Sequence, residues 1–338
     1  MSGLSLKALF GLAPVALFLA AMLALDGWKL VRPRQAVVAA LAGAGAALVC
    51  RLVHQSLIPW LDLDLQGFSR YVAPLTEETA KSAWLVLLIW RRRIGFLVDA
   101  AIYGFAVGAG FGIMENVFYL GIIGDAHWST WLLRGCGTAL MHGCTAAVFA
   151  IVAHTRCERR QGCGPLQLLP ALALAVLIHS GFNHFFLTPA LTAMTLIAGV
   201  PLVLAAVYQQ GESTLEQWLG LGFDTDAEML RIIDSGQVSA TPVGIYLASL
   251  RDRFAPEIVA DMFCLLRLQV ELRLKAKGLV LMRRSGYEPP RPEGVAERLA
   301  EIRFLERSIG QAGRLALLPF LRRGRRDTWE RHLLEGGG

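Results

Sequence analysis

Seven predominantly apolar stretches lie in the chain up to residue 208, at about 6–25, 35–53, 72–90, 97–121, 129–153, 166–186 and 189–208. Each is close to the ~20 residues a helix needs to cross a bilayer. The pattern predicts an all-α fold, a polytopic membrane helix bundle of about seven spans. The first stretch has features of a signal peptide, with Lys7 ahead of an apolar core and small residues near LAAMLAL. Its core is long, however, and a basic loop follows, so it reads as a spanning helix. In the fourth, Gly104, Gly108 and Gly112 recur at four-residue spacing and form a smooth stripe against which another helix can pack closely.

After residue 208 the pattern becomes amphipathic. FDTDAEMLRII and TPVGIYLASL read as capped helix starts, the second with Pro242 just after Thr241. Two longer stretches, about 256–284 and 293–321, are separated by SGYEPPRPEG, whose prolines and glycines end one helix before the next. This predicts two parts: a transmembrane domain over 1–208 and a small helical domain over 209–338 built round an antiparallel hairpin.

Composition supports the division. The chain is 54% hydrophobic and 18% charged with a mean hydropathy of +0.48, unusual for a soluble protein. Residues 1–208 hold 14 of the 33 basic and 9 of the 27 acidic residues, leaving 19 and 18 for the remainder. The basic residues of the first part sit in alternate connections: Lys29, Arg32 and Arg34; Arg91, Arg92 and Arg93; Arg156, Arg159 and Arg160. Asp62, Asp64 and Asp125 occupy the others. The positive-inside rule then puts the N-terminus outside and the C-terminal domain in the cytoplasm. Because these cations set orientation rather than line a phosphate-tracking groove, nucleic acid is excluded as a partner. The six cysteines show no framework of paired spacings and read as free thiols. His154, Cys157 and Cys163 make at most half of a zinc site. In the tail, LALLPFLRRGRR (315–326) suits either the inner membrane surface or a core helix end with a solvated basic terminus.

Ionisable groups inside a membrane helix cost several kcal/mol unless they meet partners or water. Five stand out: Glu77 and Glu78 on the third segment, Glu115 on the fourth, His142 on the fifth and His179 on the sixth, with Lys81 and Asn183 one turn from two of them. At a rise of about 1.5 Å per residue, and with Arg134 taken as an outer-interface anchor, each lies roughly 9–12 Å below the outer surface. Singly, each has a structural explanation. Glu77 and Lys81 suit an i,i+4 ion pair, His142 a bond to a backbone carbonyl, and His179 with Asn183 a helix-to-helix tie. Four helices running in alternating directions agree on one depth, and that agreement points to one buried polar site. Asp26 and Asp99, at cytoplasmic helix ends within reach of basic loops, read as ordinary interface charges.

Such a cluster contains what peptide hydrolysis needs: a base for water and donors for the developing oxyanion. Two histidines and two glutamates also suit a tetrahedral zinc site, for which Glu78, Glu115, His142 and His179 are the candidates. No HExxH supports the metal by spacing, so glutamate chemistry with no cofactor is the leading reading and zinc the alternative. Neither GxSxG nor a YD and GxGD pair occurs in the apolar part, which argues against serine and aspartyl mechanisms. A proton-relaying transporter would also use intramembrane Glu and His. Internal repeats and broken helices, its usual signs, are not seen.

The same residues resemble the PrsW-type intramembrane proteases, relatives of the CAAX prenyl endopeptidases and bacteriocin-processing membrane peptidases. EETAK (Glu77, Glu78, Lys81) matches EExxK, and FGIMEN (Phe111, Glu115, Asn116) matches FxxxEN on a glycine-rich helix. His142 follows on the next helix, and HSGFN (His179, Asn183) matches HxxxN/D, all within about residues 70–186. Phe182 stands where many members have tryptophan. The resemblance implies site-1 type cleavage of a single-pass membrane substrate, such as an anti-sigma factor, near the extracytoplasmic face of a bacterial inner membrane. By analogy with the prenyl endopeptidases, Glu77 activates water and Glu78 and Glu115 support it. His142, His179 and Asn183 then orient the water or stabilise the oxyanion, with Glu78 the alternative base. The superfamily also contains a non-catalytic scaffold, and retention of both glutamates and both histidines favours the enzyme. The tail lies outside the resemblance and reads as regulatory or as binding a cytoplasmic partner.

Overall fold

The computed structural model describes residues 3–26, 31–160, 162–220, 223–235, 238, 241–287 and 294–317. All regular elements among them are helices. The chain divides into two compact units, Met1–Gly211 and Glu212–Gly337.

The first unit is built round one helix. We number the main helices α1 (Gly3–Leu25), α2 (Pro33–Leu61), α3 (Ala73–Trp90), α4 (Leu97–Ile122), α5 (Leu140–Arg159), α6 (Pro165–Asn183) and α7 (Pro189–Gly220), the last running past the division. α4 is apolar on every side, and a helix of that kind belongs in a core; it is buried without interruption from Val98 to Gly112. Asp99 starts it by accepting from the backbone N–H of Gly95 and Phe96 at 3.0 and 3.1 Å. The aspartate expected as an interface charge is therefore a buried cap that satisfies orphan donors. Asp26 is likewise buried and accepts from the N–H of Val31 at 3.2 Å.

Small residues let two neighbours approach the backbone of α4. A Cβ on Gly108 would lie 1.9 Å from the carbonyl oxygen of His142 on α5, and one on Gly110 would lie 1.8 Å from that of Ala40 on α2. The outer faces of α1, α2, α6 and α7 carry exposed Leu17, Leu41, Leu177 and Leu202. In a multi-pass membrane protein these side chains face hydrocarbon. Six helical stretches are long and apolar enough to cross a membrane among the described residues: Leu6–Leu25, Pro33–Leu61, Leu97–Ile122, Trp128–Arg159, Pro165–Asn183 and Pro189–Gln210. The seventh expected span is also helical, as α3, but it carries the charges of Glu77, Glu78 and Lys81.

Three features differ from expectation. α2 continues eight residues beyond 53, through HQSLIPWL, which carries its polar end toward α3. Short π-helical turns, Phe68–Val72 and Arg134–Ala139, lead into α3 and α5. Such turns shift the phase of the side chains that follow. Finally, Cys157 and Cys163 form a disulfide rather than two free thiols, because the turn between α5 and α6 returns the chain on itself and brings their Cα atoms to 4.6 Å. Nε1 of Trp90, at the end of α3, donates to the carbonyl of Cys163 at 3.1 Å.

The second unit contains α8 (Phe223–Asp234), α9 (Pro242–Ser249), α10 (Pro256–Arg284), α11 (Val295–Ser308) and α12 (Gly310–Ala316). Arg298 pairs with Glu271 and Ser308 with Asp261, a register that makes α10 and α11 antiparallel. The second long stretch is broken at Gly310, whose φ of +67° ends α11 at the left-handed position glycine favours. Buried Lys277 on α10 pairs with Asp226 on α8 at 3.0 Å. An apolar cavity of about 210 Å³ lies among Met229, Ile232, Val243, Phe263 and Leu266. Residues of LALLPFLRRGRR after Leu317 lie outside those described.

Candidate active site

Helices α3, α4, α5 and α6 each bring between one and three polar side chains to a single buried cluster. Glu77 and Glu78 begin the second turn of α3, with Lys81 one turn on. Lys81 is 1% exposed and donates to Glu78 Oε1 at 2.6 Å, to Nδ1 of His142 at 3.1 Å and to Thr145 Oγ1 at 3.3 Å. The ion pair is thus i,i+3 with Glu78, not i,i+4 with Glu77. Glu78 Oε1 also accepts from Thr145 Oγ1 at 3.0 Å and from Nδ1 of His179 at 2.8 Å.

These contacts fix both imidazoles. Lysine only donates, so Nδ1 of His142 is an acceptor, and its other nitrogen donates to Glu115 Oε2 at 3.1 Å. A carboxylate only accepts, so Nδ1 of His179 carries the proton. Nε2 of that ring, with its lone pair, then lies 3.9 Å from Glu77 Oε2. The two rings stand edge to face with centroids 4.9 Å apart. Phe111 closes the cluster from the core side: its ring centroid is 4.9 Å from that of His142, and Lys81 Nζ sits 5.1 Å above it.

Glu77 makes no hydrogen bond among the described residues. With Glu115 it forms the accessible edge of the cluster, at 11% and 22% side-chain exposure against 1–3% for Glu78, Lys81, His142 and His179. Two expected members lie elsewhere. Nδ2 of Asn183 donates to the carbonyl of Ser69 at 2.8 Å, tying the end of α6 to the π-turn before α3. Buried Asn116 donates from Nδ2 to the carbonyl of Gly11 on α1 at 2.8 Å and accepts from Nε of Arg134, also at 2.8 Å. Arg134, expected as an interface anchor, turns inward instead and pairs with Glu115 at 3.4 Å.

Sequence reasoning missed Arg134 and Thr145 as members of the site. Thr145 lies three residues from His142 on the same helix, the one signal that could have marked it. Arg134 is an arginine within the apolar stretch 129–153, and its position gave the signal while its direction did not.

The model for the PrsW family intramembrane metalloprotease matches residues 32–208. The chain belongs to the PrsW family. It is therefore an intramembrane peptidase, a hydrolase that works within the lipid bilayer on membrane protein. No curated protein and no solved structure matches it. The match to PrsW covers the whole glutamate and histidine cluster and begins after α1.

The family description names a metal, and the side chains fit one by type. Glu77, His142 and His179 offer a carboxylate and two imidazoles whose donor atoms all lie within 4.8 Å of one another. Glu78 stands behind His179 as the carboxylate that orients a ligating imidazole. The grouping of donor atoms thus has Glu77 with the two histidines, where the expected zinc set had Glu78 and Glu115. His142 has both nitrogens engaged, by Lys81 and Glu115, so it would have to exchange one of these contacts for an ion.

Proposed function

We propose that this PrsW protein is an intramembrane endopeptidase that hydrolyses a peptide bond of a single-pass membrane protein near its extracytoplasmic face. An anti-sigma factor cleaved in the site-1 manner is the substrate we favour. The enzyme would act in a bacterial inner membrane, with its C-terminal domain in the cytoplasm as a regulatory or partner-binding module.

One observation carries the assignment of roles. Of the three carboxylates in the cluster, Glu77 alone accepts no hydrogen bond among the described residues, and it faces the lone pair on Nε2 of His179 at the accessible edge. A water held between these two acceptors can donate one hydrogen to each and direct its own lone pair at a scissile carbonyl. Glu77 takes the proton and later returns it to the leaving amine. Glu78 is saturated by Lys81, Thr145 and His179, and so serves as the orienter of His179 rather than as the base. The Nε2–H of His142, now shared with Glu115, is the donor for the developing oxyanion. Asn183 contributes by fixing α6.

A second reading is favoured by the three-donor set, in which Glu77, His142 and His179 hold a divalent ion. The chemistry such an ion supplies when bound is carbonyl polarisation and acidification of water. The residues behind it keep their roles: Glu78 aims His179, and Glu115, paired with Arg134, is the carboxylate beside the site that is outside the donor set.

Comparison of membrane proteomes from cells with wild-type and Glu77→Gln protein tests the reading. Wild type should release the extracytoplasmic part of at least one single-pass protein and Glu77→Gln should release none, although it inserts normally. Adding a chelator to the purified pair in liposomes separates the two chemistries: lost cleavage selects the ion, and retained cleavage the glutamate alone. Undiminished cleavage by Glu77→Gln, or by His179→Ala, would end both.

A further inference from the structure

Glu115 is the most exposed carboxylate of the cluster, yet its direction is set from two sides. Nε2 of His142 donates to Oε2 at 3.1 Å, and Nη2 of Arg134 stands 3.4 Å from Oε1. Arg134 is itself fixed. Its Nε donates to Asn116 Oδ1 at 2.8 Å, and its guanidinium carbon lies 3.8 Å over the ring of Tyr119. Asn116, fully buried, is pinned in turn by its bond to the carbonyl of Gly11.

An arginine at a membrane interface ordinarily snorkels, lying along apolar surface with its head in water. Arg134 does the reverse: its side chain is 17% exposed and its head faces inward. Turning a guanidinium inward is costly unless charge, hydrogen bond and ring face all meet it. Glu115, Asn116 and Tyr119 supply one of each, and all three lie on α4 within two turns. The π-turn Arg134–Ala139 starts at the arginine itself and so sets the phase between it and His142 on the same strand of helix. Without the cation, the Glu115 carboxylate is free to rotate toward the accessible edge, and the His142 ring keeps only its Nδ1 contact with Lys81.

We propose that Arg134 is a positioning residue for the hydrolysis: clamped by Asn116 and Tyr119, it holds the Glu115 carboxylate against Nε2 of His142. Through Asn116 and Gly11 the clamp also makes α1, which the family match does not reach, part of the scaffold of the site. The inference rests on the reading of this cluster as the active centre.

The test uses the full-length chain in liposomes with chelator present, labelled with ¹³C at glutamate carboxyls and ¹⁵N at histidine rings. The carbon–nitrogen dipolar coupling lost in Glu115→Gln reports the Glu115–His142 pair, and the one lost in Glu78→Gln reports the Glu78–His179 pair. Arg134→Met should abolish the first and leave the second, and Arg134→Lys should restore part of the first. On the membrane protein that wild type cleaves and Glu77→Gln does not, Arg134→Met should lower kcat about 10- to 100-fold with KM little changed. Persistence of the first coupling in Arg134→Met overturns the proposal. So does loss of both couplings together, which marks a general structural role. Full activity of Glu77→Gln, by contrast, removes the functional reading and leaves the coupling result to judge the clamp alone.

Discussion

Glu78 and Lys81 form an ion pair at 2% and 1% exposure, and each is also hydrogen-bonded across to another helix. Removing one member of such a pair strands the other in low dielectric, at a cost of about 3–5 kcal/mol. Lys81→Met, which keeps length and loses charge, should therefore lower the unfolding temperature in detergent and abolish cleavage together. Combining it with Glu78→Leu should recover most of the thermal stability, since no charge is left unpaired, but none of the cleavage. A single Lys81→Met variant that melts with wild type would show the pair to be dispensable for folding. At this scale the sequence was informative where residues were expensive. Glu77, Glu78, Glu115, His142 and His179 announce themselves because nothing but a partner justifies them in an apolar helix. Thr145 did not, since threonine is ordinary in membrane helices and its hydroxyl can bond its own backbone, as it also does here to the carbonyl of His142. Asn183 shares a face with His179, but the spacing says nothing of what stands opposite, and opposite it is the carbonyl of Ser69.

Helix α4 sets the spacing of the site because it holds α5 at backbone distance. The same residue that a Cβ on Gly108 would strike, His142, is a member of the cluster, so packing and chemistry meet at one point. Overpacking a tight contact costs about 1–3 kcal/mol and forces a backbone shift. At Gly108 that shift would move His142 off Lys81 and Glu115. Gly108→Ala should thus reduce cleavage far more than its thermal destabilisation explains. Gly45→Ala on α2, where a new Cβ meets nothing within 4 Å, should leave both unchanged. Equal activity in the two variants, assayed in the same liposomes, would show that α5 can yield without disturbing the site. The four-residue glycine repeat made a close neighbour legible in the sequence, as did the helical periods of all seven apolar segments. It did not reveal which helix fills the groove, nor the second approach, of α2 at Gly110. Nor did hydropathy foretell the π-turns, because a π-turn adds a residue without altering composition.

For the whole molecule, what decides the biology is the side of the membrane from which the cluster is reached. On the proposed orientation, which rests on the positive-inside rule applied to the basic connections after α1, α3 and α5, the accessible edge formed by Glu77 and Glu115 would lie nearer the extracytoplasmic face and the C-terminal domain in the cytoplasm. In that topology the two placements are one statement, since an odd number of crossings, those of α5, α6 and α7, separates Glu115 from the C-terminal domain. The chain carries its own reporter: Cys264 on α10 is an exposed free thiol in the second unit. In intact cells a membrane-impermeant maleimide should leave Cys264 unlabelled, and permeabilisation should expose it, with Cys264→Ser identifying the signal. A cysteine placed at Ser129, in the connection between α4 and α5, should show the opposite pattern. Labelling of Cys264 from outside would invert the protein and put the cluster in the cytoplasmic half of the bilayer, where an extracytoplasmic cleavage is no longer within reach. The cytoplasmic unit would then also cease to be a candidate for internal regulation. Truncation after Gln210 addresses that role separately, because the glutamate and histidine cluster lies wholly in the first unit. The truncated protein should cleave in liposomes at the wild-type rate while losing the control of cleavage seen in cells, and unaltered control would assign the tail no regulatory part.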